Sequence, residues 1–271
     1  MKKVVAISIF GDGDKYTRYF RAFVQAHLNL FPIADGWRLR VYADNKVTKT
    51  ETGIDIVRFA TDRLIDAVYM GPAIRCKAML WRIAPVFDKG AEYVFCRDLD
   101  CVPMPRDRAV MEQFIASGAT VHTVHDNTLH VGIMGGLCGF HAPSFRESTG
   151  FHSLDQVYAY APWANWEIHG MDQNVLNLIC LREGGPTLLE HRFAGWYNGP
   201  GTQPPHKRGH YPCPAYSTPV PDVGVAPCFN ADLANTADRL AAHLGAPGFD
   251  HVAAKAFYDT HGDKMIAEAL S

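Results

Sequence analysis

Short apolar runs alternate with longer amphipathic ones along the first half of this chain, and this alternation restricts the possible folds more than any other feature. Strand-like runs cover residues 4–10, 37–43, 54–59 and 91–95. Apolar side chains at helical spacing cover residues 16–31 and 73–87. Strands that alternate with helices predict an α/β fold, in which a mostly parallel central sheet is flanked by helices.

The length and composition fit one large domain. A chain of 271 residues, with 48% hydrophobic and 20% charged residues, is able to bury a sizeable core. We expect a main domain over residues 1–195, followed by a loop-rich and helical C-terminal segment, a lid and helices, over residues 196–271. This second segment is expected to pack on the same domain. A net charge of −2 provides no general attraction to nucleic acid or to anionic membranes.

Cysteine usage and hydropathy bear on the compartment of the protein. Seven cysteines, an odd number without a Cys-x-x-Cys pair, favour reduced thiols over a disulfide framework. Apolar runs are all too short to span a bilayer, and the first ten residues read as a strand rather than a signal peptide. The sequence therefore predicts a cytoplasmic protein without a transmembrane segment, and it makes no prediction of the oligomeric state.

Two carboxylates, Asp98 and Asp100, follow the apolar run at residues 91–95. Side chains two positions apart on an extended chain share a face, so this pair would leave the core in one direction. Like charges this close repel unless a cation lies between them, and a divalent cation with a phosphate-bearing ligand is a common solution. Such a cation needs further donors, and His191 and His206 are the candidates for a third protein ligand.

Positive side chains lie near the acidic pair in the sequence. Arg97 immediately precedes it, and Arg82 lies among apolar residues of a predicted helix. That setting favours an inward-facing ion pair or a ligand-binding role for Arg82. Cations beside a metal-diphosphate site would neutralise the remaining phosphate charge.

The turn after the first strand lies where α/β sheets commonly bind nucleotides, beyond the carboxyl ends of their strands. It contains Gly11 and Tyr16, and Tyr16 would either stack on a base or pack at the start of the next helix. Asp44 follows the second strand and would accept a hydrogen bond from a base or ribose, or remain a solvated turn carboxylate. The sequence has neither the dinucleotide-binding glycine fingerprint nor a Walker motif, which argues against a Rossmann oxidoreductase and a P-loop NTPase.

Two later segments offer groups for a sugar. Gly135 and Gly136 belong to a glycine-rich stretch in which the backbone is able to approach a ligand closely. Asp172 and Gln173 open a predicted helix and present a carboxylate and an amide. These two groups would contact sugar hydroxyls or the reacting centre, and a simple helix cap is the alternative.

In this order, the motifs resemble those of the GT-A glycosyltransferases, and most closely a group of poorly characterised bacterial and viral glycosyltransferase-like proteins. The shared motifs, over about residues 4–195, are Gly11-Asp12 with Lys15-Tyr16, Trp37-x-x-Arg40-x-Tyr42-x-Asp44, Met79-Leu80-Trp81-Arg82, Arg97-Asp98-x-Asp100, His122-x-x-x-Asp126, Gly135-Gly136-Leu137-x-Gly139 and Asp172-Gln173. The full series is far more specific than any single motif. The chain departs from the group at Cys101, where Ser is common, and at Cys138, where Trp is common.

The resemblance implies a metal-dependent transferase that takes a nucleotide sugar, most often a UDP-sugar, as donor. Asp98 and Asp100 would hold Mn²⁺ or Mg²⁺ on the donor diphosphate, where the cation stabilises the departing group as a Lewis acid. Residues implied to bind the donor are Phe10, Gly11, Tyr16, Asp44, Arg82, Arg97, Asp98, Leu99, Gly135 and Gly136.

Three residues are implied in the reaction itself, namely Asp172, Gln173 and Arg82. In similar enzymes an Asp-Gln pair lies by the donor sugar, a pattern that leans toward retention of the anomeric configuration. If the enzyme inverts instead, Asp172 is the candidate general base, because such a base must reach the acceptor proton.

Two other functions stay open. A nucleotidyltransferase also pairs carboxylates on an α/β sheet, although residues 11–14 are acidic where those enzymes usually carry a basic, glycine-rich loop. A non-catalytic nucleotide-sugar-binding protein is the third possibility. The acceptor is also open: a glycan, a lipid-linked saccharide, a small metabolite, or a hydroxymethylated base in viral DNA, the last motivated only by the basic run His206-Lys207-Arg208.

Overall fold

The structure, a computed structural model, describes residues 2–11, 13, 17–103, 105–125, 132–181 and 184–192, with the backbone alone at 106 and 192. The expectations for Tyr16, for His206 and for the segment 196–271 lie outside these residues. Within the described ranges, none of the helices has the length and apolar character needed to cross a membrane.

Seven strands form a single sheet in the order β3-β2-β1-β4-β6-β5-β7. The strands are β1 (Lys3–Ile9), β2 (Trp37–Ala43), β3 (Asp66–Tyr69), β4 (Tyr93–Arg97), β5 (Val121–His125), β6 (Leu137–His141) and β7 (Leu188–Arg192). Every neighbouring pair is parallel except the two pairs that include β6, which runs antiparallel to β4 and to β5. The predicted α/β fold with a mostly parallel central sheet is confirmed.

Helices cover both faces of this sheet. The α-helices are α1 (Phe20–Leu30), α2 (Glu51–Thr61), α3 (Arg75–Met79), α4 (Pro105–Ser117), α5 (Ala142–Thr149), α6 (Leu154–Tyr160) and α7 (Met171–Cys180). A 3-10 helix, Leu80–Phe87, continues directly from α3 and contains Pro85. The helical prediction for residues 73–87 therefore holds, with a tighter winding over its second half because proline removes a backbone donor.

The strand predicted at residues 54–59 is wrong, because these residues belong to α2. The hydroxyl of Thr50 caps this helix by accepting a hydrogen bond from the Gly53 amide. Two of the three β-branched residues within 54–59 lie on the solvent side, with Ile54 69% exposed and Val57 55% exposed, whereas Ile56 is buried. The third strand is instead β3, at the edge of the sheet.

The two faces of the sheet bury two separate hydrophobic clusters. In β4, Val94 and Cys96 pack toward the 3-10 helix and α7, whereas Tyr93 and Phe95 pack toward α1 and α4. This alternation follows from the two-residue period of a strand. The same alternation places the side chain of Arg97, the last residue of β4, on the face of Tyr93 and Phe95.

The antiparallel direction of β6 brings the glycine-rich segment to the acidic pair. Leu137, the first residue of β6, is the register partner of Arg97, the last residue of β4. Gly135 and Gly136 precede Leu137 and Asp98 follows Arg97, so all three lie at the same edge of the sheet. The carboxyl ends of β1, β2 and β5 lie at that edge as well.

Candidate active site

The acidic pair begins a turn rather than continuing the strand. The Cys101 amide donates a hydrogen bond of 3.1 Å to the Asp98 carbonyl, which closes the turn directly after β4. The side chain of Asp98 is 36% exposed. Asp100 is only 4% exposed. The expectation of two carboxylates side by side on an extended face is therefore corrected, since one is open to solvent and the other is enclosed.

Arg82 joins two carboxylates that are far apart in the sequence. Its Nη1 donates a hydrogen bond to Oδ1 of Asp98, and its Nη2 lies 3.5 Å from Oδ2 of Asp172. Arg82 is buried. Burial alone would lower its pKa, but the neighbouring carboxylates of Asp98 and Asp172 raise the pKa above the ordinary arginine value. Arg82 is thus a permanent, buried cation at the centre of the site.

Asp172 lies in the first turn of α7 and is buried. Burial raises the pKa of its carboxyl group, while the Arg82 cation opposes the rise and the nearby Asp98 carboxylate adds to it. The backbone amides of Asp172 and Gln173 also oppose the rise by hydrogen bonding to the carboxylate. A buried carboxyl with a raised pKa and one charged partner is typical of functional sites, although structural ion pairs show it too.

Two glycines lie directly against these charged groups. A Cβ atom on Gly135 would lie 2.9 Å from Nη2 of Arg82 and 2.9 Å from Oδ2 of Asp172. A Cβ atom on Gly136 would overlap the carboxylate of Asp98. A side chain at either position would therefore displace these charged groups from their present arrangement.

The turns after β1 and β2 are joined by Asp44. Its Oδ2 accepts a hydrogen bond of 3.1 Å from the Gly11 amide, and its Oδ1 accepts from the amides of Lys46 and Val47. Asp44 is therefore a buried anchor for both turns, whereas the sequence suggested either a ligand contact or a solvated turn carboxylate. Phe10 is half-buried and packs edge-on against Trp81, with 6.3 Å between ring centroids.

The side chains of Arg97 and Leu99 face away from Arg82. Arg97 is 1% exposed, with its Nε 3.4 Å from Oδ1 of Asp107 in α4. Leu99 packs in the hydrophobic cluster on the same side of the sheet. The donor-binding role expected for these two side chains is thus not supported by their placement. Only the backbone of Arg97 reaches the site, where its carbonyl accepts from Nη1 of Arg82 at 3.4 Å.

His191 is not brought to the acidic pair. Its Nδ1 is hydrogen-bonded to Nε2 of His122 at 2.8 Å, and its Nε2 to Oε1 of Gln113 at 2.9 Å. Both ring nitrogens are therefore engaged in a buried network between β5, β7 and α4. The expectation that His191 is a third metal ligand is corrected, because its lone pairs and protons are committed to these partners.

The oxygen donors of the site fit a hard divalent cation that is shared with a substrate. No three His, Cys, Asp or Glu residues form a metal-binding group anywhere in the described ranges. Mg²⁺ commonly binds through one or two carboxylates and completes its coordination with substrate phosphates and water. Asp98, whose carboxylate is partly open and lies against Gly136, matches that mode of binding.

Sequence reasoning missed two polar residues that hold the glycine-rich segment. Asn177 in α7 accepts a hydrogen bond of 2.7 Å from the Ile133 amide. Thr123 in β5 accepts from the Met134 amide at 3.1 Å. Neither residue type has a motif that marks such contacts, and no local pattern in the sequence singled out Asn177 or Thr123.

Comparisons with known proteins give structural neighbours only. No family model matches the sequence, and no curated protein matches it. TarS from S. aureus is 11% identical, with a TM-score of 0.42, over 61% of this chain and 56% of that chain. The mannosyltransferase PcManGT from Pyrobaculum calidifontis, in complex with GDP-Man and Mn²⁺, is 13% identical, with a TM-score of 0.40, over 57% of this chain and 48% of that chain.

A third neighbour is 4-diphosphocytidyl-2C-methyl-D-erythritol synthase from Anaerococcus prevotii. It is 8% identical, with a TM-score of 0.43, over 70% of this chain and 89% of that chain. The chain spans about half the length of the TarS and PcManGT structures. Identities and TM-scores at this level do not assign the chain to a family.

Proposed function

We propose that this protein is a metal-dependent glycosyltransferase that moves a sugar from a nucleotide sugar, a UDP-sugar in the first instance, to an acceptor hydroxyl. The observation that supports it most is the placement of Arg82 between Asp98 and Asp172, beneath Gly135 and Gly136. A partly open carboxylate (Asp98), a buried cation (Arg82) and a buried carboxylate (Asp172) thus lie together, with the glycine backbone close to them. They lie beyond the carboxyl ends of the parallel strands, where α/β proteins bind nucleotides.

The charges of the site match those of a diphosphate bound with a divalent cation. Asp98 would hold Mn²⁺ or Mg²⁺ against the donor diphosphate, and Asp100, enclosed in the same turn, is the proposed second carboxylate. When bound, this cation would neutralise charge that develops on the leaving diphosphate. Arg82 would place a second, permanent positive charge at the same leaving group, which needs no reorganisation during the reaction.

Asp172 and Gln173 are suited to the sugar side of the site. Glycosyl transfer breaks the bond between the anomeric carbon and the diphosphate oxygen and forms a bond to the acceptor oxygen, which loses its proton. In a retaining reaction that proton passes to the departing diphosphate. In an inverting reaction Asp172 would accept it, and its raised pKa would favour that transfer.

The nucleoside would lie across the turns after β1 and β2. Phe10 offers an aromatic ring at this edge, and Asp44 holds the Gly11 turn to the second turn. Asp44 has one carboxylate oxygen on each turn, so it contributes to binding by fixing their backbones. Tyr16 remains a proposed stacking residue for the base.

Calorimetric titration of UDP-, GDP-, CMP- and dTDP-sugars, each with Mn²⁺, tests this function. We expect one class to bind in a Mn²⁺-dependent manner, and Asp98→Asn to abolish that dependence. Asp62→Asn, at the exposed residue that directly follows α2, is the matched control and should bind as the wild type does. If no nucleotide sugar binds, or if Asp98→Asn changes nothing, the proposal is wrong.

The products separate the proposal from its alternatives. A glycosyltransferase releases the nucleoside diphosphate from the nucleotide sugar. A nucleotidyltransferase instead consumes a nucleoside triphosphate and a sugar phosphate, and it releases pyrophosphate. A nucleotide sugar that binds but is never turned over with glycans, lipid-linked saccharides, small metabolites or hydroxymethylated DNA would indicate a binding protein.

A further inference from the structure

The glycine-rich segment is tied to helix α7 by one side chain. The Ile133 amide donates a hydrogen bond of 2.7 Å to Oδ1 of Asn177. The backbone at Gly132 also passes so close to the Asn177 side chain that a Cβ atom on Gly132 would overlap Oδ1 of Asn177. Gly132 has a φ of +64°, which favours glycine at this position. Backbone shape and a side-chain hydrogen bond thus both fix the segment on Asn177.

Strand β5 holds the other side of the same segment. The hydroxyl of Thr123 donates to the Gly132 carbonyl at 3.2 Å and accepts from the Met134 amide at 3.1 Å. Nε2 of His125 lies 2.7 Å from the Gly132 carbonyl, and because a carbonyl only accepts, this nitrogen carries the proton. The segment is therefore held between a rigid strand and a helix.

Helix α7 carries both the Asn177 anchor and the groups that would face the donor sugar. Asp172 and Gln173 lie in its first turn, and Asn177 lies further along the same helix. A Cβ atom on Gly135 would lie 2.9 Å from Oδ2 of Asp172 and 3.7 Å from Cγ of Gln173. Gly135 therefore lies in contact with these two side chains, directly after the segment that Asn177 and Thr123 hold.

We infer that Asn177 is a positioning residue that helps to hold Gly135 and Gly136 against the Asp172–Gln173 end of α7, and thereby affects which donor sugar is accepted. The inference rests on the proposed function, because it assigns the sugar to the surface that these four residues form. Asn177 is not assigned a contact with the sugar. It acts through its hydrogen bond to the Ile133 amide.

The test compares the nucleoside diphosphate with the nucleotide sugar that wild-type protein binds, both with Mn²⁺. In Asn177→Ala we expect the affinity for the diphosphate to stay as in the wild type. The additional affinity contributed by the sugar should fall by about five- to tenfold, the usual effect of one lost hydrogen bond. Discrimination between donors that differ only in the sugar should fall with it.

Two further variants separate positioning from stability. Asn177→Asp keeps the oxygen acceptor and should restore sugar-dependent affinity. Asn174→Ala changes an exposed asparagine of the same helix and should leave it unchanged. Hydrogen exchange at the Ile133 amide, which needs no ligand, should be faster in Asn177→Ala than in Asn177→Asp.

The outcomes distinguish this inference from the proposed function. If wild-type protein binds no nucleotide sugar, the proposed function fails and this inference fails with it. If wild-type protein binds and Asn177→Ala loses affinity equally for the diphosphate and the nucleotide sugar, or loses none, the proposed function stands and the positioning role is wrong.

Discussion

Nη2 of Arg82 lies 3.5 Å from Oδ2 of Asp172, although the two residues are 90 positions apart in the chain. The contact links the 3-10 helix before β4 to the first turn of α7, and the same guanidinium also holds Asp98. The buried Arg82 guanidinium is thus the shared counter-ion of two carboxylates that come from different parts of the chain. The stability of the fold and the chemistry of the site therefore depend on one side chain.

Removal of this cation should destabilise the protein in a pH-dependent manner. Arg82→Gln leaves the buried Asp172 carboxylate without its counter-ion, at a cost of about 3 kcal/mol of unfolding free energy near neutral pH. Without Arg82 the folded pKa of Asp172 rises further. The folded state then binds the extra proton as pH falls, so the deficit should shrink toward about pH 5.

Urea unfolding of wild type and variant at both pH values measures this effect. The exposed Arg58→Gln is the matched control and should lose little stability at either pH. Arg82→Gln combined with Asp172→Asn should recover part of the loss, because no unpaired carboxylate remains. An equal deficit at both pH values would contradict the assigned role of Asp172.

Gly136→Ala should impair the acidic site. The new methyl group would occupy the position of the Asp98 carboxylate, and overpacking of this kind typically costs enough to change an affinity by about tenfold or more. Mn²⁺-dependent nucleotide-sugar affinity, measured by calorimetry, is the readout. Gly90→Ala, where a Cβ atom meets nothing within 4 Å, is the control. Equal affinities in the two variants would show that Asp98 is not at the binding site.

Substitution of Asp44 should act on the nucleotide turns. Asp44→Ala leaves the amides of Gly11, Lys46 and Val47 without their acceptor and should cost about 2 kcal/mol of stability. Asp44→Asn is able to keep its side-chain oxygen as the acceptor for the Lys46 and Val47 amides. Its NH₂ group would then face the Gly11 N–H, and two donors form no hydrogen bond.

We therefore expect Asp44→Asn to lose less stability than Asp44→Ala but to weaken nucleoside diphosphate binding measurably. Thermal unfolding and calorimetry check the two effects. Asn45→Ala, exposed and adjacent, should change neither. If Asp44→Asn binds the nucleotide as tightly as the wild type does, the turns are held by other contacts.

His27 should make the protein less stable in acid. Burial lowers the pKa of His27 to about 3, and neither ring nitrogen has a hydrogen-bond partner among the described residues. The unfolded chain takes up a proton near the ordinary pKa of 6.5, whereas the folded chain stays neutral. Stability should thus fall as pH decreases from about 6.5 to about 3, with a contribution on the order of 4 kcal/mol.

His27→Phe should flatten this part of the stability profile. The His27 ring stacks on Phe31, and its two nitrogens have no hydrogen-bond partner among the described residues. Phenylalanine should therefore keep the packing and stabilise the protein in acid. Burial also lowers the pKa of His122, so part of the acid dependence should persist in the variant. Denaturant unfolding as a function of pH measures the slope, with the exposed His169→Gln as control. A slope unchanged in His27→Phe would assign the acid sensitivity to other groups.

Local periodicity sufficed for β1, β2, β4 and the helices α1 and α3. The boundaries of β2 match the predicted strand at residues 37–43, because Arg38 and Arg40 alternate with buried residues at the two-residue period of a strand. The prediction failed at α2, because the exposed Ile54 and Val57 favoured a strand, whereas the buried positions follow helical spacing. A single sequence does not say which of two apolar patterns faces the core.

The candidate site was predicted in its composition and not in its arrangement. Residue types and motif order pointed to Arg82, Asp98, Gly136 and Asp172, because few other chemistries need these groups at strand and helix ends. Their contacts depend on the antiparallel direction of β6 and on the position of α7, which no local pattern encodes.

What the sequence determined by itself is the fold class, several of the strands and helices, and the chemistry at their ends. What only the tertiary structure decided is the side on which each group lies. Arg97 and His191 point into buried networks because strand alternation and strand order place them there. Asn177 gains a role because α7 passes beside Ile133. Hydrophobic period is a local property, whereas contact between distant residues depends on how all the strands are ordered and packed.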